Sequence, residues 1–482
     1  MIKLMIMLRF CVLVTGKAVD IKTNDIMMAF VLVAGMECMA ATHYVVPTNS
    51  AAADPYTSWI TAGTNIIDVV NAAMTNDSPR LIWVTNGTYY PTSHITITNT
   101  MTIQSVNGRD LTILHGGAAS TNRCIAFRSA VTFDGFTVTN YCAIDMDGVI
   151  YVPSSGENSK ILNCLVTGNR VAASLAWSEN GGGIFHDYKS LTITNCIVRG
   201  NRARSYGGGI RAGANAHISD CVIENNTADI NAGGGIAIPW YTYQDIFLSN
   251  CFIINNRGNS DGGGIYIDVN RDVKVVSCVI TGNISVSGNG GGVWGNNTTV
   301  ENCIITANRA TNSNGGGVYG TNLNIKNCLV AQNAAKTNAG GVYFANGGTI
   351  MNCTVVSNYA GVSGGGLFIT NAGYGTNNII YHNTATVSAD NFTNTTGNTG
   401  LNYSCVLPAV DGTGNITNDP RLVDFNGGNY RLRADSPCVN RGMNQDWMTN
   451  SYDLDGQTRI RYGRVDMGVY EAIYNGTVYA FH

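Results

Sequence analysis

The chain offers few residues with the makings of acid–base chemistry. The best grouping is His186, Asp187 and Lys189, joined by Arg211 and, further along, by Asp268. A carboxylate beside Lys or Arg can exchange a proton with a substrate. Two carboxylates can cleave a glycoside when they stand about 5–9.5 Å apart. Asp187 and Asp268 hold equivalent places, each four residues after a glycine run, but three repeats separate them. At about 4.8 Å per repeat they would lie about 14 Å apart, too far for such a pair. The other reading of these charges is solvated surface. None of the seven His residues is flanked by glycines, and no Asp-Asp pair occurs.

A second set is aromatic. The residue after each glycine run and its Ile, Val or Leu is, in order, Phe185, Arg211, Ala237, Tyr266, Trp294, Tyr319, Tyr343 and Phe368. If the Ile, Val or Leu faces a core, the next residue faces out. Five consecutive repeats would then show an aromatic stripe able to stack on sugar rings or contact a protein. The alternative is that these rings shield the glycine turns or point into the core.

What must position both sets is a repeat. Cysteines stand at 164, 196, 221, 251, 278, 303, 328 and 353, at steps of 32, 25, 30, 27, 25, 25 and 25. An Asn follows five residues after each: Asn169, Asn201, Asn226, Asn256, Asn283, Asn308, Asn333 and Asn358. Glycine runs recur at 181–183, 207–209, 233–235, 262–264, 290–292, 315–317, 340–341 and 364–366. A fixed period of this size marks a solenoid. The units carry β-branched alternation and no helical stretch, so each is expected to be a coil of three short strands in a parallel β-helix. Cys and the residue two further on point inward. Each Asn takes the left-handed turn position and bonds its equivalents above and below. Glycines allow the corners. Longer steps are loops, chiefly at 171–190 and 236–246. A calcium-binding glycine repeat is excluded, since no Asp recurs behind the glycines.

The ladder cysteines point the same way, which suits buried thiols better than disulfides. Cys405 with Cys438, and Cys124 with Cys142, are pairs that could bridge. Residues 59–77 carry Ile66, Ile67, Val70 and Ala73 at helical spacing, so a helix within about 56–80 is expected over the first coils. The first strand is placed in "RLIWVTNGTYY", from residue 80. Regular coils span about 160–370 within a β-helix of 42–400, and 401–482 form a separate module. "DLDG" at 453–456 hints at a calcium loop, but the rest of that pattern is missing and a turn is favoured. The apolar run at 27–36 is too short to span a bilayer. Residues 1–41 therefore suggest a signal peptide and secretion, against a membrane anchor or a start placed too far upstream.

Charged residues make up only 12 %, and the net charge is −3 with no basic block, which argues against nucleic acid. Apolar residues at 44 % suffice for a large core, and the class is all-β.

The strand "VTFDGFTVTN" (131–140), the N-terminal pattern and the repeats resemble bacterial right-handed β-helix proteins of the pectin-lyase-like superfamily. The Gly-Gly-x-Ile units resemble repeats of polymorphic outer-membrane proteins. The tail, from Asp419-Pro420 through Asp466-Met467-Gly468 to Tyr470-Glu471, is similar to the choice-of-anchor Q module of secreted β-helix proteins. These resemblances cover nearly all of the chain after the leader and imply a fold more than a function. The superfamily includes lyases of acidic polysaccharides, which hold Ca²⁺ on acids beside an Arg or Lys base, and hydrolases, which cluster Asp with His and Arg. Neither set is complete here. No transmembrane barrel is expected after Tyr470-Glu471, and no cofactor, with Ca²⁺ the one ion left open. A secreted or cell-surface β-helix with an adhesin-like role toward a glycan or another partner, attached to the cell envelope or free, is the leading expectation. A polysaccharide lyase or hydrolase, or a purely structural surface protein, are the rivals.

Overall fold

Short β-branched runs between Asn and Gly corners cannot satisfy their own backbone groups, so each must pair with its counterpart one repeat away. The computed structural model describes residues 41–473, apart from 77–79, 118–120, 145–147, 173–180, 240–244, 270–272 and 396–399. The apolar run at 27–36 lies outside the described residues, as do parts of both insertions.

One coil shows the plan. Ile265–Ile267 and Val273–Val276 lie on the first face, Val279–Thr281 on the second and Ile284–Ser285 on the third. Their counterparts in the next coil pair with them in parallel and in register. Repetition builds sheets of 24, 13 and 10 strands. The first sheet takes two strands from most coils, so a coil has four strands on three faces, not the three strands expected. In Val318–Lys326 and Val342–Met351 the two fuse into one.

Alternation sends one set of side chains inward. In this coil Ile265, Ile267, Val273, Val275, Cys278 and Ile280 are each at most 1 % exposed. Burying each aliphatic chain contributes about 1.5–3 kcal/mol. The ladder cysteines are unbridged and stack in the same core. The N–H of Cys303 donates to Cys328 Sγ at 3.4 Å, and that of Cys328 to Cys353 Sγ at 3.4 Å. Burial pushes the Cys196 and Cys328 thiols well above their ordinary range. Cys405, Cys438, Cys124 and Cys142 are also thiols in this structure.

The asparagine column is a buried hydrogen-bond ladder. Asn308 Nδ2 donates to Asn333 Oδ1 at 3.0 Å and to the Ile280 carbonyl at 2.8 Å. Its Oδ1 accepts from the backbone and side-chain nitrogens of Asn283, at 3.0 and 2.9 Å. Both amide protons and both lone pairs are thus used. One part of the sequence expectation is corrected: the ladder Asn does not take the left-handed conformation. The residue before it does, as Ala307 (φ 55°) precedes Asn308, and so does the residue before each cysteine, as Asn302 (φ 55°) precedes Cys303. The asparagine side chain is thereby free to turn inward. The glycine corners are dictated by close approach: a Cβ on Gly291 would lie 2.5 Å from the Gly316 carbonyl oxygen.

The helix α1 (Ile66–Met74) covers the first described coils, capped by the Asn65 side chain, which accepts from the Ile67 N–H at 3.0 Å. It is shorter than the expected span. It buries Ile66, Val69, Val70 and Ala73, whereas Ile67 is only half-buried. The helix packs on Ala41–Val45, Arg80–Val84 and Ile95–Ile97. The strand Ala41–Val45, ahead of the expected first strand, pairs in register with Arg80–Val84.

At the other end the ladders continue through Gly400–Asn402 and Cys405–Val406. The following loop folds over the last coil, where the Asn415 side chain accepts from the Ser404 N–H and donates to the Leu401 carbonyl, both at 2.9 Å. The chain then turns back along the second face. Leu422, Tyr430, Leu432, Met467 and Val469 cover the outward side chains of Leu329, Ala331, Val356, Ile379 and Tyr381. This module carries the small antiparallel pair Leu422–Asp424 with Asn429–Leu432. "DLDG" is a turn: Asp453 Oδ1 accepts from the Asp455 and Gln457 N–H groups at 2.9 and 2.7 Å.

Inside the module Arg459 and Glu471 are both buried and 3.2 Å apart. Burial pushes the Glu471 carboxyl up to about 8, although Arg459 opposes the shift. The native state therefore keeps a proton that the unfolded chain releases above about pH 4.5. For this group stability is fullest at low pH and declines as pH rises from about 4.5 to about 8. The thermal midpoint should fall across that window, and Glu471→Gln should flatten the slope. For the ladder, Asn308→Ala strands the Asn283 N–H and the Ile280 carbonyl, and should cost about 2–4 kcal/mol in urea unfolding. The exposed Asn312→Ala should cost less than about 1 kcal/mol.

Candidate functional site

The corner that leads from the third face to the first carries the aromatic residues. Tyr266, Trp294, Tyr319, Tyr343 and Phe368 are register partners in successive coils. Because backbones repeat, rings repeat too. Neighbouring centroids are 4.9, 6.5, 4.8 and 5.0 Å apart, with interplanar angles of 24°, 18°, 23° and 7°. Ring faces therefore meet ring faces, and edges turn outward. The column extends upward through Arg211, whose guanidinium lies 4.5 Å over Phe185, and through Tyr151, 5.6 Å from Phe185. Ala237 leaves a gap, and Tyr206 approaches Tyr266 at 5.9 Å.

The side chains do leave the core, as alternation requires, but they do not stand free. Phe368 is 7 % exposed and Phe185 is equally buried, while the four between are half-buried. Each ring leans over its own glycine corner, where a Cβ on Gly315 would meet the Tyr319 Cβ at 2.6 Å. A sugar cannot stack on faces already taken by neighbouring rings. What remains open is a corridor of ring edges and phenol hydroxyls.

Polar columns flank it. On one side run Asp261, Asn289, Asn314 and Asn338. Asn289 donates through its backbone N–H to Asp261 Oδ1 at 2.6 Å, and Asn314 Nδ2 to Asn289 Oδ1 at 3.1 Å. Asn338 Nδ2 donates to Asn314 Oδ1 at 3.2 Å. On the other side Asp268 accepts from the Tyr266 hydroxyl and from Asn296 Nδ2, both at 3.0 Å. Burial, aided by Asp268, pushes the Tyr266 phenol above its ordinary range, and burial does the same for Tyr319 and Tyr343. These phenols stay protonated, and that of Tyr266 donates to Asp268.

Of the acid–base candidates, His186, Asp187 and Arg211 come together, whereas Lys189 and Asp268 do not join them. Arg211 is buried, donates to the His186 carbonyl at 2.7 Å and lies 3.7 Å from Asp187 Oδ1. Burial, with Arg211 beside it, pushes His186 down to about 3, so its ring is neutral at ordinary pH. Lys189 pairs instead with Glu157 at 3.1 Å on the surface. Asp268 serves Tyr266 and Asn296 several coils away. Among the described residues no three His, Cys, Asp or Glu side chains gather as metal ligands. Tyr151, Tyr206 and the Asp261–Asn338 column were not picked out in sequence. Tyr151 precedes the regular glycine runs and Tyr206 sits just ahead of one, while the column shows only as the Asp or Asn shortly before four successive runs.

Residues 182–346 match the family model described as a right-handed beta helix region. The solenoid is a right-handed parallel β-helix. This is the fold implied by the resemblance to pectin-lyase-like proteins, and the match ends before the C-terminal module. Among solved structures, the β-helix is similar to pectate lyase Pel9A, at 16 % identity over 89 % of this chain and 96 % of that one, with a TM-score of 0.41. It is similar to the tailspike protein gp49 of Acinetobacter baumannii bacteriophage Fri1, a capsular polysaccharide depolymerase, at 13 % identity over 77 % and 65 %, with a TM-score of 0.34. A third similar structure is ORF18 of Geobacillus virus E2, at 14 % identity over 83 % and 67 %, with a TM-score of 0.28. No curated protein matches the chain.

If the stack is part of the framework, losing one ring removes two contacts, each worth about 0.5–1.5 kcal/mol. Trp294→Leu should therefore lower stability by about 1–3 kcal/mol in urea unfolding, with no ligand present. Tyr374→Leu, on a ring 64 % exposed, should change it by less than about 0.5 kcal/mol.

Proposed function

We propose that this β-helix is a non-catalytic surface protein that binds a hydroxyl-rich glycan along the aromatic corner, in an adhesin-like role outside the cell. The observation that carries this reading is the corridor itself. A line of ring edges and phenol hydroxyls runs along the axis, with amide columns on one side and Asp268 with Asn296 on the other. Amides and carboxylates suit sugar hydroxyls, and ring edges suit the C–H surface between them. The binding would rest on hydrogen bonds more than on stacking, since the ring faces are occupied. The repeat spacing suits a chain lying along the axis. A lyase or hydrolase would instead need several acids on one groove, whereas Asp187 meets the buried Arg211 and Asp268 lies coils away with Tyr266 and Asn296.

Retention of the purified protein on a panel of immobilised neutral and acidic glycans tests this. Tyr319→Phe and Asn314→Ala should each weaken retention on the bound glycan, together by about tenfold, equivalent to about 1.4 kcal/mol. Retention unchanged in both variants would leave the corner a purely structural feature. Unsaturated uronate products or new reducing ends from any polysaccharide of the panel would replace binding with catalysis, and Arg211→Met should then abolish turnover.

A further inference from the structure

The third face has a chemistry of its own. The residue after the ladder asparagine opens each short strand and points away from the core. Down this column the register reads Arg170, Arg202, Thr227, Arg257, Ile284, Arg309. All four arginines are exposed. They span five coil steps, about 24 Å at about 4.8 Å each. Arg204 and Lys336, each the first residue after its short strand, add to the same side.

Only Arg202 is neutralised, by Asp229 at 2.8 Å. The other five cations form no ion pair among the described residues. Among the described residues the turns after these strands also carry Asp261, whose Oδ1 accepts from the Asn289 N–H at 2.6 Å, and, at the last coil, Asp390, whose Oδ1 accepts from the Ala385 N–H at 2.7 Å. A chain with a net charge of −3 thus gathers on one side five cations without an ion pair among the described residues.

Apolar side chains project beside these cations. Tyr359 continues the arginine column and is 45 % exposed; Ile230, Val362 and Val387 follow in the adjoining turn, with Val387 71 % exposed. Two shallow depressions combine both kinds of group. One, of about 210 Å³, is bounded by Arg170, Arg204, Ile230 and the acid Asp229; the other, of about 510 Å³ and without an acid, by Arg309, Lys336, Tyr359 and Val362.

We propose that this face docks the rod lengthwise on an anionic lipid surface, with a headgroup phosphate in the depression between Arg309 and Lys336. Guanidinium groups bind phosphate through paired N–H donors. A straight sheet face brings all its cations to a plane at once, and each adds to the attraction of an anionic surface. The projecting Ile, Val and Tyr side chains discriminate among polyanions. A soluble acidic polymer gains nothing from them, whereas a bilayer interface accepts both the charges and the apolar tips. Phosphates of duplex DNA are spaced about 1.7 Å along its axis, far more densely than cations set one or two coils apart. The docking uses none of the residues of the aromatic corner.

Vesicle flotation tests the proposal, with phosphatidylglycerol–phosphatidylcholine vesicles, pure phosphatidylcholine vesicles and soluble polyphosphate as probes. The protein should float with anionic vesicles only, and less as salt rises. Arg257→Glu with Arg309→Glu should lower partitioning at least tenfold. Val387→Ser with Tyr359→Ser should lower it several-fold. Trp294→Leu, once folded, should leave it unchanged. All four altered side chains in the docking variants are exposed, so thermal unfolding should match the parent. Equal flotation with neutral vesicles, indifference to the arginine reversals, or binding to polyphosphate without binding to vesicles would each overturn the proposal.

Discussion

The structure depends on a buried amide that must meet its copy in the next coil. From Asn201 onward each ladder asparagine uses every side-chain donor and acceptor it has on the coils beside it, so a coil displaced by one residue would leave several polar groups unpaired in the core. That requirement sets the register. Once register is set, aliphatic side chains fall on aliphatic side chains, thiols on thiols and glycine corners on glycine corners. A disulfide reading of the thiol column fails for the same reason, since parallel side chains one strand apart do not converge.

Register also decides what the outer surface can offer. Equivalent side chains lie parallel at multiples of about 4.8 Å, which favours columns over convergent clusters. The aromatic corner shows the consequence: five rings in register turn their faces to one another and leave their edges to solvent. The acid and base candidates show it too. Asp187 and Asp268 are equivalents three coils apart, and each is engaged by near neighbours. The three faces are thereby given different surroundings, with a polar corridor at the first, the returning module over part of the second and unpaired arginines on the third.

Much of this was legible in the sequence because a solenoid is local in a repeated sense. The period of the cysteines, the asparagine five residues on and the glycine runs all describe contacts between residues about 25 apart. The parallel β-helix and its buried thiols follow from them, and the helix at the start from the separate spacing of Ile66, Val70 and Ala73. Other features were written less plainly. The left-handed positions pass among Gly, Asn, Ala, Gln, Ser and His, as at Gly200, Asn225, Ala307 and Gln332, so no residue type marks them. The arginine column was present as Asn-Arg at 169–170, 201–202, 256–257 and 308–309, but overall composition conceals a charge that only register gathers.

By itself the sequence determined the coil: which side chains face inward, where corners fall and which residues repeat. Those are contacts between a segment and its own copies, so spacing is enough to state them. Tertiary structure alone decided where the non-repeating chain goes and how outward side chains meet. The C-terminal module folds back on Leu329, Val356 and Ile379 because those outward apolar residues need cover, which no period announces. Whether the aromatic stripe offers faces or edges turned on side-chain orientation across coils, and spacing along the chain carries no information about that angle.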